Sequence, residues 1–198
     1  MDVHRCRFVP YPTSSINALA FSHPSVQEDS AKQIPSLRLA VGRANGDIEI
    51  WNPLRGAWVR ETIFVGGKDR SVEGLAWTQE PDEVDHEGNA LPGKLRLFSI
   101  GFSSTVTEWN LSTGLPLRQS SGNHSDVWCL AAQPRWREPE EEENSQTMQR
   151  KTEGQWRGQN LVVGCADGTL ALLSTADDDL QFGRFISRPT TKKARVLS

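Results

Sequence analysis

Asn123-His124-Ser125-Asp126 places three residue types of a hydrolytic triad side by side. A triad works through spatial geometry: a nucleophile, a base, and a third group that orients the base. Neighbouring residues on one short segment do not supply that arrangement, so the cluster reads as a turn ahead of a strand. The carboxylates of Glu138-Pro139-Glu140-Glu141-Glu142-Glu143 have no apolar surround to raise a pKa for acid–base work, and read as a solvated run. His4 and Cys6 offer two ligands where a structural zinc site takes four, and His23, His86 and His124 fall in separate loops. Gly66-Gly67-Lys68 lacks the upstream glycine and the following Ser or Thr of a phosphate-binding loop, and reads as a turn between units. No metal, cofactor or small-molecule substrate is expected, and the chain reads as non-catalytic.

One chemistry stays open. Arg5 and Arg7 flank a strand, and Lys192, Lys193 and Arg195 make a short basic cluster. Arg135 and Arg137 flank Trp136, and Arg157 follows Trp156. Arginines beside exposed rings suit stacking on single-stranded RNA. The alternative is that the rings pack their segment back onto the fold. The net charge of −3 supplies no whole-chain attraction to nucleic acid. No apolar run approaches the roughly 20 residues that span a bilayer, so no membrane association is expected. Cys6, Cys129 and Cys165 form no CxxC pair and read as reduced thiols.

A repeat positions these residues. Leu37-Arg-Leu-Ala-Val-Gly-Arg-Ala-Asn45-Gly-Asp-Ile-Glu-Ile-Trp51-Asn52 recurs as Leu95-Arg-Leu-Phe-Ser99-Ile-Gly-Phe-Ser103-Ser-Thr-Val-Thr-Glu-Trp109-Asn110. It recurs again as Asn160-Leu-Val-Val-Gly-Cys-Ala-Asp167-Gly-Thr-Leu-Ala-Leu-Leu173-Ser174. Each copy is a hairpin. Asn45-Gly46 and Asp167-Gly168 are strong turn signals, because the turn needs positive φ; Ser103-Ser104 fills the place more weakly. The second strands put Ile48/Ile50, Val106/Glu108 and Leu170/Leu172 on one face, with a polar residue in the middle copy. Ahead of each hairpin runs a strand with a shared Leu-Ala: Ile16-Asn-Ala-Leu-Ala-Phe21, Val72-Glu-Gly-Leu-Ala-Trp77 and Val127-Trp-Cys-Leu-Ala-Ala132. A last strand follows, plainest in Trp58-Val-Arg-Glu-Thr-Ile-Phe64 and Gln181-Phe-Gly-Arg-Phe-Ile186. The turns lie 58 (45 to 103) and 64 (103 to 167) residues apart. The excess over a standard blade of about 40–45 residues falls between first and second strands, at 22–36, 78–94 and 133–159.

Four-stranded repeats with a turn Asn or Asp before Gly, and with Trp51-Asn52 and Trp109-Asn110 closing a strand, resemble WD40 repeats. That resemblance implies an all-β, WD40-type β-propeller. It also implies a Trp, Ser/Thr, His and turn-Asp network within each blade, present here in fragments: Asn45 and Trp51; Ser99 and Trp109; His124 and Asp167. The segment order is similar to that of the cirhin family of U3-associated processome subunits. The matching pieces are Val3-His-Arg-Cys-Arg-Phe8, Leu39-Ala-Val41, Gly46-Asp-Ile-Glu-Ile-Trp51-Asn52, Leu97-Phe-Ser99 and Val162-Val-Gly-Cys-Ala-Asp-Gly168. The tail Lys193-Ala-Arg-Val-Leu-Ser198 resembles the start of a fourth blade.

The expected organisation is a partial propeller of about three four-stranded blades plus the start of a fourth. A closing strand and lead-in occupy 1–14, blade one 15–65 and blade two 66–120. Blade three occupies 121–187 with its acidic insertion at 133–159, read as a mobile solvated loop, and 188–198 begin blade four. Such an arc leaves open edges, so it is expected to be part of a longer protein. Leu19, Trp51, Leu75, Trp77, Trp109, Trp128 and Leu130 are expected in the core. The family resemblance implies a nucleolar scaffold for small-subunit ribosome assembly. Its partners would be other WD40 and helical subunits of the early processome, with the 5′ external transcribed spacer of pre-rRNA and the U3 particle nearby. RNA contact would fall on Arg5, Arg7, Arg135, Trp136, Lys192 and Lys193. The alternative is a generic WD40 adaptor such as a ubiquitin-ligase substrate receptor.

Overall fold

Alternating apolar residues and glycine turns fold as three four-stranded antiparallel sheets in a computed structural model. It describes residues 14–22, 37–54, 57–67, 70–80, 83–84, 86, 90–91, 93–120, 125–133, 135–136, 156–157, 159–176 and 179–188. Blade one is β1 (Ile16–Phe21), β2 (Leu39–Arg43), β3 (Ile48–Leu54) and β4 (Ala57–Phe64), in that order across the sheet. Blade two begins with β5 (Gly74–Gln79); a two-stranded ribbon, β6 (Glu83–Val84) with β7 (Ala90–Leu91), follows. The sheet then resumes with β8 (Leu95–Ile100), β9 (Val106–Trp109) and β10 (Pro116–Ser120). Blade three has the same plan: β11 (Val127–Ala132), a ribbon of β12 (Arg135–Trp136) with β13 (Trp156–Arg157), then β14 (Asn160–Cys165), β15 (Leu170–Ser174) and β16 (Gln181–Ser187). The fold class is the one the repeat implies, an all-β partial propeller. Segments 3–8 and 194–198, read as lead-in and fourth-blade strands, lie outside the described residues.

Turn chemistry sets each hairpin. Gly46 and Gly168 take φ of 86° and 85°, which a side chain resists. The turn after β8, where Ser104 stands in place of that glycine, is held by hydroxyls instead, with the Ser103 Oγ accepting the Thr105 amide at 3.3 Å. After β9 the Asn110 Oδ1 accepts the amides of Ser112 and Thr113 at 2.9 and 3.0 Å, and Gly114 at φ 69° completes the reversal into β10. That last turn produces a strand with little β-forming composition, which the sequence pattern does not locate. The strand expected from Val72 starts instead at Gly74, because the Val72 amide bonds back to the Arg43 carbonyl of blade one at 3.1 Å.

Connections alternate between two ends of the arc. The hairpin turns and blade-to-blade links share one end, the turn end; the ribbons and the loops before β4 and β10 share the other. The ends of insertion 133–159 pair as a ribbon, and its acidic stretch lies outside the described residues. Each blade buries both faces only between neighbours. Ala18, Ala40, Ile48, Ile50 and Phe64 of blade one close over Val72, Leu75, Trp77 and Leu97 of blade two. Ala76, Phe98, Ile100 and Val106 of blade two close over Val127, Leu161, Val163, Cys165, Ala171 and Leu173 of blade three.

Two expected core residues are exposed. Leu19 occupies in β1 the position that Leu75 occupies in β5, yet Leu75 is 8% exposed and Leu19 63%. Leu75 has blade one to pack on; no described blade precedes Leu19. Trp128 is exposed because a bulge between Val127 and Cys129 shifts the strand and leaves Trp128 at the turn-end rim, where blades one and two carry Asn17 and Glu73.

Candidate functional site

Among the described residues, a large buried polar constellation lies between blades two and three. Arg96, 1% exposed, donates from Nε and an Nη to both oxygens of Glu108 at 2.7 and 2.8 Å, and to Glu80 at 2.7 Å. It also donates across the interface to the backbone carbonyls of Thr175 and Asp179, the latter at 2.6 Å. Burial alone would lower the Arg96 pKa. The hydrogen bonds and charges of Glu108 and Glu80 outweigh that, so it is raised. This accounts for the polar member of the Val106/Glu108 pair: Glu108 is buried because Arg96, on the adjacent strand, meets it. Blade one holds a second pair, Arg43 Nε on Glu49 at 2.7 Å. The sequence signal for both was a charge standing inside an apolar alternation, as in Leu95-Arg-Leu and Ile48-Glu-Ile. A buried guanidinium saturated by carboxylates and carbonyls staples blades together and has no capacity left for a ligand.

The blade positions implied by the repeat fall out unevenly. The Trp109 indole donates to the Ser99 hydroxyl at 2.8 Å and stacks on Phe64 of blade one at 5.8 Å between centroids. Trp51 donates instead to Glu49 at 2.9 Å, since Val41 stands where blade two has Ser99. Asn45 pairs with Asp47 inside its own turn at 2.8 Å, apart from Trp51, and Asp167 accepts the Thr169 amide at 3.0 Å. His124 lies outside the described residues.

Among the described residues no group of three or more His, Cys, Asp or Glu could hold a metal ion. Cys165 is buried, and its thiol is pushed up to about 11 by burial and then by the charges of Asp167 and Cys129. It is therefore protonated, and a poor nucleophile, at neutral pH. No helix among the described residues is long and apolar enough to cross a membrane.

Of the candidate RNA contacts, Arg5, Arg7, Lys192 and Lys193 lie outside the described residues. Arg135 and Trp136 lie in the β12–β13 ribbon, whose register sets Arg135 opposite Arg157 and Trp136 opposite Trp156. Register thus gathers two arginines at one rung and two tryptophans at the next, on a projection at the insertion end.

Fold and buried chemistry define a class: consecutive propeller blades locked by apolar faces and buried ion pairs, an architecture suited to presenting surfaces. The particular likeness is to U3 small nucleolar RNA-associated protein 4. The chain is 42% identical over 200 residues to that protein of Schizosaccharomyces pombe, covering all of this chain and 23% of the relative. It is 37% identical over 222 residues to the Saccharomyces cerevisiae protein, covering all of this chain and 27% of that one. The Homo sapiens homologue is 29% identical over 196 residues, 99% of this chain and 21% of the relative. The chain thus spans about a quarter of the length of these relatives. No protein-family model matches it. The crystal structure of the computationally designed Ika4 protein aligns with a TM-score of 0.50 at 20% identity, over 96% of this chain and 81% of that one. At that identity the likeness concerns the fold alone.

Proposed function

We propose that this chain is one arc of a non-catalytic WD40 scaffold in early small-subunit ribosome biogenesis, acting with the U3 particle in the nucleolus and contributing to pre-18S rRNA processing. The carrying observation is its similarity along its full length to two yeast proteins named for association with U3 small nucleolar RNA. The arrangement of the blades fits the role. Successive blades hold each other through buried faces, leaving the turn end, the insertion ribbons and the outer strands to meet partners. In this reading the partners are other WD40 and helical subunits of the early processome, together with the 5′ external transcribed spacer of pre-rRNA. The Arg135–Arg157 and Trp136–Trp156 rungs supply a place for RNA contact. Nothing in the sequence or comparisons favours a ubiquitin-ligase adaptor over this reading. Affinity capture of the tagged protein, followed by mass spectrometry and RNA sequencing, tests the proposal. Enrichment of U3 RNA, pre-rRNA and processome subunits is expected; their absence, or recovery of ligase subunits in their place, rejects it.

A further inference from the structure

We propose that Asn45-Gly46 is a latent site of deamidation and isoaspartate formation, held unreactive by the folded β2–β3 turn and released when blade one opens. It is the one Asn-Gly pair in the chain. In such a pair the backbone nitrogen of the glycine, unhindered by a Cβ, can reach the asparagine side-chain carbonyl carbon. The Gly46 nitrogen loses its proton and bonds to the Asn45 Cγ. The Cγ–Nδ2 bond breaks, and Nδ2 leaves as ammonia. Water then opens the five-membered imide at either carbonyl. One opening leaves an aspartate at the site; the other leaves an isoaspartate, whose main chain runs through the former side chain. One water is consumed and one ammonia released, with no redox change.

The turn dictates both residues. Gly46 is buried at a φ of 86°, and a Cβ there would meet the Arg70 carbonyl. Asn45 carries an amide because of its neighbour, since its Nδ2 donates to the Asp47 Oδ2 at 2.8 Å. An aspartate in its place would hold a second carboxylate oxygen against the first. Blade three shows the contrast. There Asp167 fills the turn position and accepts the amide of Thr169, which stands where blade one has Asp47. An acid suits the turn of blade three and conflicts with that of blade one.

Hydrogen bonds hold every atom that the reaction must move. The Gly46 amide, the nucleophile, donates to the Arg43 carbonyl at 3.0 Å, so its proton is committed. The Asn45 Oδ1 accepts the Asp47 amide at 3.2 Å, and its Nδ2 is fixed on the Asp47 carboxylate. The Asp47 amide polarises the carbonyl under attack, but a nucleophile that keeps its proton cannot use this. The Asn45 amide donates to the Ser14 Oγ at 2.9 Å, and the Asp47 Oδ1 accepts the Gly66 amide at 2.7 Å. Gly66 lies so close that a Cβ on it would overlap Gly46 and the Asn45 carbonyl. Swinging the peptide between Asn45 and Gly46 toward the side chain breaks these bonds together, so the reaction waits on local opening. Asn45 itself is exposed, so the protection comes from these bonds and not from exclusion of water.

Incubation of the 198-residue chain near neutral pH, folded in buffer or unfolded in guanidinium chloride, tests the site. Peptide mapping by mass spectrometry and labelling by an isoaspartyl-specific methyltransferase read the conversion. Conversion at Asn45 is expected to be at least about ten-fold slower in the folded chain. Asp47→Ala removes the acceptor of both the Asn45 side-chain amide and the Gly66 amide, and should raise the folded rate toward the unfolded one. Ser14→Ala, a milder loosening of the same turn, should raise it by less. Circular dichroism melts confirm that each variant remains folded. Asn45→Asp should lower the melting temperature, and combining it with Asp47→Asn should restore it, because amide and acid then change places. The proposal is overturned by conversion as fast in the folded chain as in the unfolded one, by folded Asp47→Ala and Ser14→Ala chains that both convert at the parent rate, or by Asn45→Asp as stable as the parent.

Discussion

Replacing Arg96 by alanine should be among the most damaging single changes in the chain. It leaves the Glu108 carboxylate, 1% exposed, with its remaining cation Arg118 at 3.3 Å, and strips donors from the Thr175 and Asp179 carbonyls across the blade interface. Breaking a buried ion pair from one side costs about 3–5 kcal/mol. With a urea m-value of about 2–3 kcal/mol/M for a chain of this size, the midpoint should fall by about 1–2 M. The raised Arg96 pKa adds a sign: a cation with a raised folded pKa stabilises fully below its ordinary value, far above neutrality, and loses this only above it. The deficit should therefore be the same at pH 6 and pH 9. Removing both charges, in Arg96→Met with Glu108→Leu, should recover part of the loss, because the uncompensated carboxylate goes while the two carbonyls remain unmet. Urea melts followed by tryptophan fluorescence decide it. A loss below about 1 kcal/mol in Arg96→Ala, or no recovery in the double variant, would refute the staple.

Equivalent leucines should behave oppositely: Leu75→Ala should cost about 2–5 kcal/mol and Leu19→Ala within about 0.5 kcal/mol, read by the same melts. Gly46→Ala should destabilise by more than about 1 kcal/mol, since the residue needs positive φ and a Cβ would meet the Arg70 carbonyl; a thermal melt checks it. Cys165 is a thiol whose folded pKa of about 11 exceeds its ordinary 9.0, so its stabilisation is complete below pH 9 and falls as pH rises from 9 to 11. The fall should be about 2 kcal/mol between pH 8 and pH 10.5 and absent from Cys165→Ala, measured as the difference between their urea melts at those two pH values.

Legibility followed the range of the interaction. β1 and β11 were readable to the residue, and the hairpins nearly so, because apolar alternation and turn glycines act over a few neighbours. β10 was hidden: Pro116, Arg118 and Gln119 carry no strand signal, and its place comes from the Asn110 turn and from pairing with β9. The ribbon at 135–136 and 156–157 was hidden for another reason, since its partners are separated by a long insertion and only register joins them. Of the candidate site, the Arg and Trp pairs could be named from sequence, while their opposition across a ribbon could not.

Residue alternation and turn chemistry alone determined that this chain makes repeating four-stranded antiparallel blades, because each strand's two faces are written at every second position. Tertiary structure decided which faces are covered. Leu19 and Leu75 share a pattern and differ in burial because a propeller blade is completed by its neighbour rather than by itself. The same dependence turned Glu108 from an interruption in an apolar strand into half of a buried pair, and left Phe102 in water at the rim.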